Sequence, residues 1–213
     1  MKLSKRLKAI CDFLNNEDII SDIGTDHGLV PIYHILQNGA KKAYACDINP
    51  LPLSQASDNI KLYKVNVNTI LSNGIENIEE DSNCLVIAGM GNNTIYDILT
   101  KDEAKLKNIN KLVIQSNTHP ETIRLLLNKM GYKLVGEKVV YDKNKYYEID
   151  CFTKGNEQLS HLDIKYGKIN LINREQSFID KLKFDYKVKE NIYNQSKDIK
   201  YLDDLNEIKE ILK

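Results

Sequence analysis

Asp22-Ile23-Gly24-Thr25-Asp26-His27-Gly28 is the stretch whose reading decides the fold. It follows the apolar pair Ile19-Ile20 and leads into Leu29-Val30. A strand that ends in an acid, turns on glycine and enters a helix offers backbone N–H groups to a nucleotide-like ligand. A second acidic signal, Cys46-Asp47-Ile48-Asn49, comes about 20 residues later, where an acid ending the next strand takes the two hydroxyls of a ribose. The pair predicts a nucleoside-bearing cofactor at the carboxyl ends of a parallel sheet.

The loop departs from the dinucleotide pattern G-x-G-x-x-G, because Asp26 stands at the second glycine position. An acid there crowds and repels a pyrophosphate. It suits a cofactor with a cationic or neutral centre, such as S-adenosylmethionine. Taken alone, the loop also fits an ordinary strand-to-helix turn capped by Thr25 or Asp26; Asp47 tips the balance toward a ligand.

Outward from this loop, strands and helices alternate. The pattern predicts a helix over residues 3–14, a strand over 19–23, a helix over 29–37 stopped by Gly39, a strand over 42–47 and a helix over 52–62. A third strand, 65–71, is closed by Asn73-Gly74. Residues 84–88 are the most apolar run and therefore the expected central strand. A helix over 94–99, a strand over 111–116 and a helix over 121–130 follow. Residues 132–140 and 146–152, joined by Asp142-Lys143-Asn144-Lys145, form a predicted hairpin. Alternation implies a parallel sheet, and the hairpin adds an antiparallel strand. The fold class is therefore α/β, a Rossmann-like class I methyltransferase sheet with a closing antiparallel strand. The dinucleotide-binding fold lacks that hairpin.

After Gly155 the composition shifts. Residues 170–213 hold neither glycine nor proline, and apolar residues recur near helical spacing on both sides of Ser196-Lys197-Asp198. This predicts a coiled-coil-like C-terminal helical hairpin. Two domains are expected, residues 1–155 binding S-adenosylmethionine and residues 156–213 forming that helical hairpin. From Lys165 to Lys200 there are nine basic against five acidic side chains. That strip suits phosphates, and a solvated helix face explains it equally well.

Bulk composition sets limits. Lys and Arg total 30, as do Asp and Glu, so no global charge favours nucleic acid and any such site is a local patch. The four cysteines lie far apart and read as buried reduced thiols, and the four histidines form no metal-ligating pattern, so no metal is expected. No apolar run approaches about 18 residues and no signal peptide is evident, which predicts a soluble cytoplasmic protein with no membrane partner.

Chemistry-bearing residues cluster at predicted strand ends. The central strand ends in Ala88-Gly89-Met90-Gly91-Asn92-Asn93. It lacks the Asn/Asp-Pro-Pro-aromatic motif with which many methyltransferases hold an exocyclic amino group. Small residues and backbone donors suit a ring-nitrogen nucleophile, whose lone pair needs no prior deprotonation; a tight turn using glycine for packing fits the same residues. The Asn73 amide offers a donor and an acceptor to an adenine edge, or Asn73-Gly74 is a plain turn. Within Gln115-Ser116-Asn117-Thr118-His119, His119 fits a helix cap better than a substrate contact. His27 fits a backbone-bonded and a catalytic role equally.

Together these segments resemble one family, the bacterial tRNA (adenine-22-N1)-methyltransferases. The resemblance rests on Arg6-Leu7, Asp22-Ile23-Gly24-Thr25-Asp26-His27, Val30-Pro31-Ile32-Tyr33, Ile87-Ala88-Gly89-Met90-Gly91-Asn92, Ile114-Gln115-Ser116-Asn117, Tyr147-Glu148-Ile149 and Tyr166-Gly167. It covers about three-quarters of the chain well and the tail loosely. Thr25 stands where the family has Ser, Asn92 where it has Gly, and Ser116 where it has Pro. The resemblance implies methylation of adenine N1 by direct displacement, with S-adenosylmethionine as cofactor and tRNA as partner. It implies a cofactor shell of Asp22, Gly24, Thr25, Gly28, Asp47, Ile48, Asn73, Gly74, Ala88 and Gly89. Asp26, His27, Met90 and Asn92 are its implied catalytic residues. A monomer or weak homodimer is expected. Two other functions fit the residues: a small-molecule methyltransferase with a dimerising tail, and a non-catalytic cofactor- or RNA-binding module.

Overall fold

In the computed structural model, which describes residues 1–213, seven strands and eight α-helices follow the expected alternation. They are α1 (Lys5–Cys11), β1 (Ile20–Ile23), α2 (Leu29–Asn38), β2 (Ala43–Asp47), α3 (Pro50–Tyr63), β3 (Val67–Leu71), β4 (Cys84–Met90) and α4 (Asn92–Lys101). Then come β5 (Lys111–Ser116), α5 (Pro120–Lys129), β6 (Tyr132–Asp142), β7 (Lys145–Lys154), α6 (Lys168–Asn173), α7 (Gln176–Ser196) and α8 (Ile199–Ile211).

The strands form one sheet in the order β3-β2-β1-β4-β5-β7-β6. β1 to β5 run parallel, and β7 enters antiparallel between β5 and β6. The order reverses between β1 and β4, which is where an open α/β sheet leaves a crevice outside the carboxyl ends of its strands. Side chains alternate across the pleat. Ile23, Leu85, Ile87 and Ile114 enter one core, while Ile20, Cys84, Val86 and Val113 enter the other. Helices cover both faces, so the middle strands read as unbroken apolar runs.

Several boundaries differ from the periodicity. α1 begins only at Lys5, because Ser4 Oγ accepts from Leu7 N at 3.3 Å and caps it, and it ends at Cys11, ahead of the predicted residue 14. α3 starts two residues early, at Pro50, since proline suits the first helical turn. β4 runs on to Met90 past a register shift between Ala88 and Met90, where Gly89 takes φ of 80°. At the hairpin tip Lys143 and Asn144 both take positive φ, 46° and 64°, which is the two-residue turn whose twist matches its strands.

The tail holds more than two helices. A turn at Asp163–Gly167 and α6 precede the α7–α8 hairpin and pack on α5 and β6. Val139 of β6 shares a buried cluster with Tyr166, Phe178, Leu182, Ile208 and Ile211. Beneath it lies Arg124, fully buried, with Nη2 2.6 Å from Glu148 Oε2 and Nε 3.0 Å from Asp150 Oδ2. Nε also lies 3.1 Å from Glu137 Oε1, at ion-pair distance but off hydrogen-bond alignment. Glu137 Oε2 accepts from Ile169 N at 2.6 Å and Asn170 N at 3.1 Å, which ties the tail to the sheet.

All four cysteines are buried and unpaired. No group of three or more His, Cys, Asp or Glu is placed to hold a metal ion, and no helix is long and apolar enough to cross a membrane.

Candidate active site

The crevice at the strand-order reversal is a cleft of about 400 Å³, within the ordinary range for small-molecule sites of about 300–1,000 Å³. It brings together Gly24 from the end of β1, Asp47 and Ile48 from the end of β2, Asn73 and Gly74 after β3, and Ala88, Gly89 and Met90 from β4. Ile23, Asn49, Ser72, Thr94 and Ile98 complete its wall.

The glycine turn is shaped by backbone bonds. Gly24 N and Thr25 N both donate to Cys46 O, at 2.8 and 2.9 Å, which locks the β1 turn against β2. Gly24 takes φ of 72°, and a Cβ there would lie 2.1 Å from Met90 Cε. Glycine thus brings Met90 onto the turn. Gly28 does not line the cleft. It starts α2 at φ of 67°, its missing side chain making room for Ala56 of α3.

Asp22 lies under the turn, 5% exposed, with Thr25 Oγ1 donating to its Oδ2 at 2.7 Å. Burial pushes its carboxyl up to about 6, assisted by the negative fields of Asp26 and Asp47, while Thr25 and Arg6 pull the other way. This is a concentrated acidic environment that a ligand cation would relieve. Asp47 Oδ1 accepts from Asn49 N at 2.7 Å, which leaves Oδ2 for a ligand. Asp26 points to solvent, its side chain 83% exposed, with Oδ1 3.1 Å from His27 Nε2. His27 takes φ of 58°, and its carbonyl accepts from Asn59 Nδ2 at 2.9 Å.

The end of β4 is held by side chains that sequence reasoning only partly singled out. Gln115 is fully buried. Its Oε1 accepts from Arg6 Nη1 at 2.6 Å and from Gly89 N at 3.1 Å, and its Nε2 donates to Asn117 Oδ1 at 3.1 Å. Asn117 Nδ2 donates to Gly89 O at 2.7 Å, and its backbone N donates to Met90 O at 2.7 Å. Both backbone groups of Gly89 are therefore occupied, so this glycine contributes shape rather than a free donor. Arg6 completes the clamp over the Tyr147 ring, 5.4 Å from its centroid. Arg6, Gln115 and Asn117 stand in motifs of the family resemblance, but only packing shows that they act on Gly89.

Asn92 sits outside the cleft wall. Its N donates to Thr118 Oγ1 at 3.1 Å, and its Oδ1 accepts from the same hydroxyl at 2.9 Å, which joins the loops after β4 and β5. Ser116 Oγ donates to Thr118 O at 2.5 Å, closing the turn where the family carries proline. His119 stands at the N-cap position of α5 without a side-chain capping bond, and its Nδ1 lies 2.9 Å from Glu121 Oε1 on the surface.

These residues fit S-adenosylmethionine. A buried acid and a second acid flank a glycine-lined cleft with no basic cradle for phosphates. Comparison with known proteins gives the same answer. The protein-family model described as a methyltransferase domain matches residues 3–149. The tRNA (adenine(22)-N(1))-methyltransferase of Bacillus subtilis (strain 168) is 30% identical over 164 residues, 76% of this chain and 69% of that protein. The structure of M. capricolum TrmK in complex with S-adenosyl-homocysteine aligns with a TM-score of 0.85 and 34% identity, covering 99% of this chain and 96% of that one. A Streptococcus pneumoniae protein solved with S-adenosyl-L-methionine aligns with a TM-score of 0.92 and 28% identity over 100% of both chains. The chain therefore belongs to the tRNA (adenine(22)-N(1))-methyltransferase family, on a Rossmann-like methyltransferase fold.

Proposed function

We propose that this chain transfers the methyl group of S-adenosylmethionine to N1 of adenine 22 in tRNA. The cleft that gathers Gly24, Asp47, Asn73 and Met90 at the strand-order reversal carries this reading, and the family membership supports it. Residues 1–155 are assigned the chemistry and residues 156–213 the contact with tRNA. S-adenosylmethionine supplies an electrophilic methyl carbon on a cationic sulfur; the N1 lone pair forms the new N–C bond as the S–C bond breaks, which leaves neutral S-adenosylhomocysteine and a cationic base.

The chain's own residues align and stabilise. Asp47 is assigned the ribose hydroxyls, with Ile48 beside it, and Asn73-Gly74 the adenine edge. Asp22, braced by Thr25, is assigned the ammonium end of the methionine moiety. Gly24 and Ala88 keep the floor of the cleft shallow. Met90 faces the Gly24 turn and packs where donor and acceptor meet. Asn92 fixes the loop beside them through Thr118. Asp26, paired with His27 at the solvent face, offsets the charge that appears on the base. N1 lies on the Watson–Crick edge, so the base must leave its stack before it can react. Alignment and electrostatics supply the acceleration.

Labelled S-adenosylmethionine and bulk tRNA test this reading. The expected product after nuclease digestion is 1-methyladenosine. N6-methyladenosine as the primary product, or no incorporation into tRNA, would reject it.

Two residue-level results follow. Asp26→Asn should slow methyl transfer in single-turnover experiments more than it weakens cofactor binding; a defect in binding alone would move Asp26 to the cofactor shell. Asp22 should link cofactor binding to pH. With its carboxyl near 6 in the free protein, a bound cation favours the ionised form, so binding at pH 5 must first expel a proton. Calorimetry should show S-adenosylmethionine affinity about tenfold weaker at pH 5 than at pH 7, with the difference lost in Asp22→Asn. An equal pH dependence in that variant would assign the linkage to another group.

A further inference from the structure

We propose that the face made by the β6–β7 turn and the exposed side of α7 stacks an unpaired base of the substrate tRNA, other than the base that receives the methyl group; this rests on the reading of the chain as a tRNA methyltransferase. The hairpin tip lies on the same edge of the sheet as the cleft. β7 pairs with β5 only as far as Ile114↔Asp150, so Lys145 to Tyr147 project beyond the carboxyl end of β5. The link to the cleft is direct. Asp142 at the tip accepts from Arg6 N at 3.1 Å, and the Arg6 side chain bonds Gln115, which holds Gly89.

Three aromatic rings meet there. Tyr141 and Tyr146 have centroids 4.8 Å apart, and Tyr146 and Phe184 5.8 Å apart. Phe184 is 55% exposed and Tyr141 48%, so neither ring is covered by the fold. A cavity of about 320 Å³ opens between them, walled by Tyr141, Tyr146 and Phe184 with Lys145, Lys181 and Asp185. Exposed rings beside a pocket are what a base needs in order to stack, and every base offers a π-face.

The charge around the rings selects the partner. Lys181 is engaged by Glu148 at 3.0 Å and by Asp185 at 2.7 Å. Asp180 accepts from Gln176 Nε2 at 2.8 Å. Lys143 and Lys145 on the turn, and Lys183 and Lys187 on α7, form no ion pair; Asp142 and Asp180, bonded only to neutral donors, offset two of these four charges, and the remaining two are free for phosphates on either side of a stacked base. A second copy docking here about a two-fold axis would bring these lysines toward their own images, whereas a polyanion neutralises them.

The test uses the full chain, an unmodified tRNA transcript and fluorescence anisotropy. Phe184→Ala and Tyr141→Ala should each weaken tRNA binding roughly 5- to 150-fold, with S-adenosylmethionine affinity unchanged, whereas Phe184→Trp should keep tRNA binding. The double change Lys143→Gln with Lys145→Gln should lower the slope of log K against log salt by about 1–2. Wild-type tRNA affinity in both alanine variants overturns the proposal. So does a wild-type dimer that Phe184→Ala dissociates without loss of tRNA affinity, since the face is then an interface between copies. Methylation by the wild type, assayed alongside, separates the two failures. Normal methylation with unaltered binding in the variants rejects the stacking face alone; no methylation of tRNA by the wild type rejects the enzymatic reading and this one with it.

Discussion

Replacing Arg124 with methionine is expected to destabilise the protein by about 3–5 kcal/mol, the usual consequence of leaving buried charges without their partner. Its guanidinium is fully buried and faces Glu137, Glu148 and Asp150 at 2.6–3.1 Å, while Nη1 donates to Ile164 O at 3.3 Å. Without it, three carboxylates remain in the interior against Lys181 alone, 3.0 Å from Glu148. For a chain of this size the melting temperature should fall by roughly 6–20 °C.

The pH dependence of that loss identifies its origin. Burial raises the carboxyls of Glu137 and Asp150, each in the negative field of a neighbouring acid and opposed by Arg124. Glu148 is held down to about 2 by Lys181 and Arg124, against the pull of burial. A raised acid binds its proton more tightly when folded. The stability from Glu137 and Asp150 is therefore present at acid pH and lost as pH rises through their folded values. That from Glu148 has the opposite sign; it is present at neutral pH and lost as pH falls below about 4 toward 2. Arg124→Met should thus be milder near pH 5, where Glu137 and Asp150 can hold protons, than near pH 8. Adding Glu137→Gln and Asp150→Asn should recover part of the loss at pH 8. Urea denaturation at the two pH values checks this, and a deficit independent of pH would trace the effect to lost packing.

Asp47→Ala carries the second large effect, on binding rather than on stability. Its Oδ1 is fixed by Asn49 N at 2.7 Å, so the carboxylate is already oriented when a ribose arrives. Loss of a charge-assisted hydrogen bond should weaken S-adenosylmethionine binding by about 1.5–3 kcal/mol, roughly 10- to 150-fold. The melting temperature should stay near that of wild type, because Asp47 supports the fold through its backbone: its carbonyl accepts from Ser72 N at 2.9 Å. An unchanged dissociation constant in calorimetry would remove Asp47 from the site.

Sequence pattern alone determined the order and type of the sheet elements. Runs such as Cys84 to Ala88 are apolar because both faces of a parallel strand are covered, and the positions of Gly24 and Asp47 mark strand ends, and that of Gly28 a helix start, by backbone rules that act locally. Ends were less legible, because a helix starts where a cap such as Ser4 sets it and a strand continues where a bulge such as that at Gly89 allows it. Tertiary structure decided what depends on pairs far apart in the chain. Arg6 reaches Gln115 across 109 positions, and Gln115 fixes Gly89; hydrophobic period says nothing of such bonds. The ion cluster at Arg124 was invisible for the same reason. An arginine on α5 between Ile123 and Leu125 looks solvated until β6, β7 and the tail close over it. Local periodicity records which face is buried, and only the folded chain decides which charges are buried together.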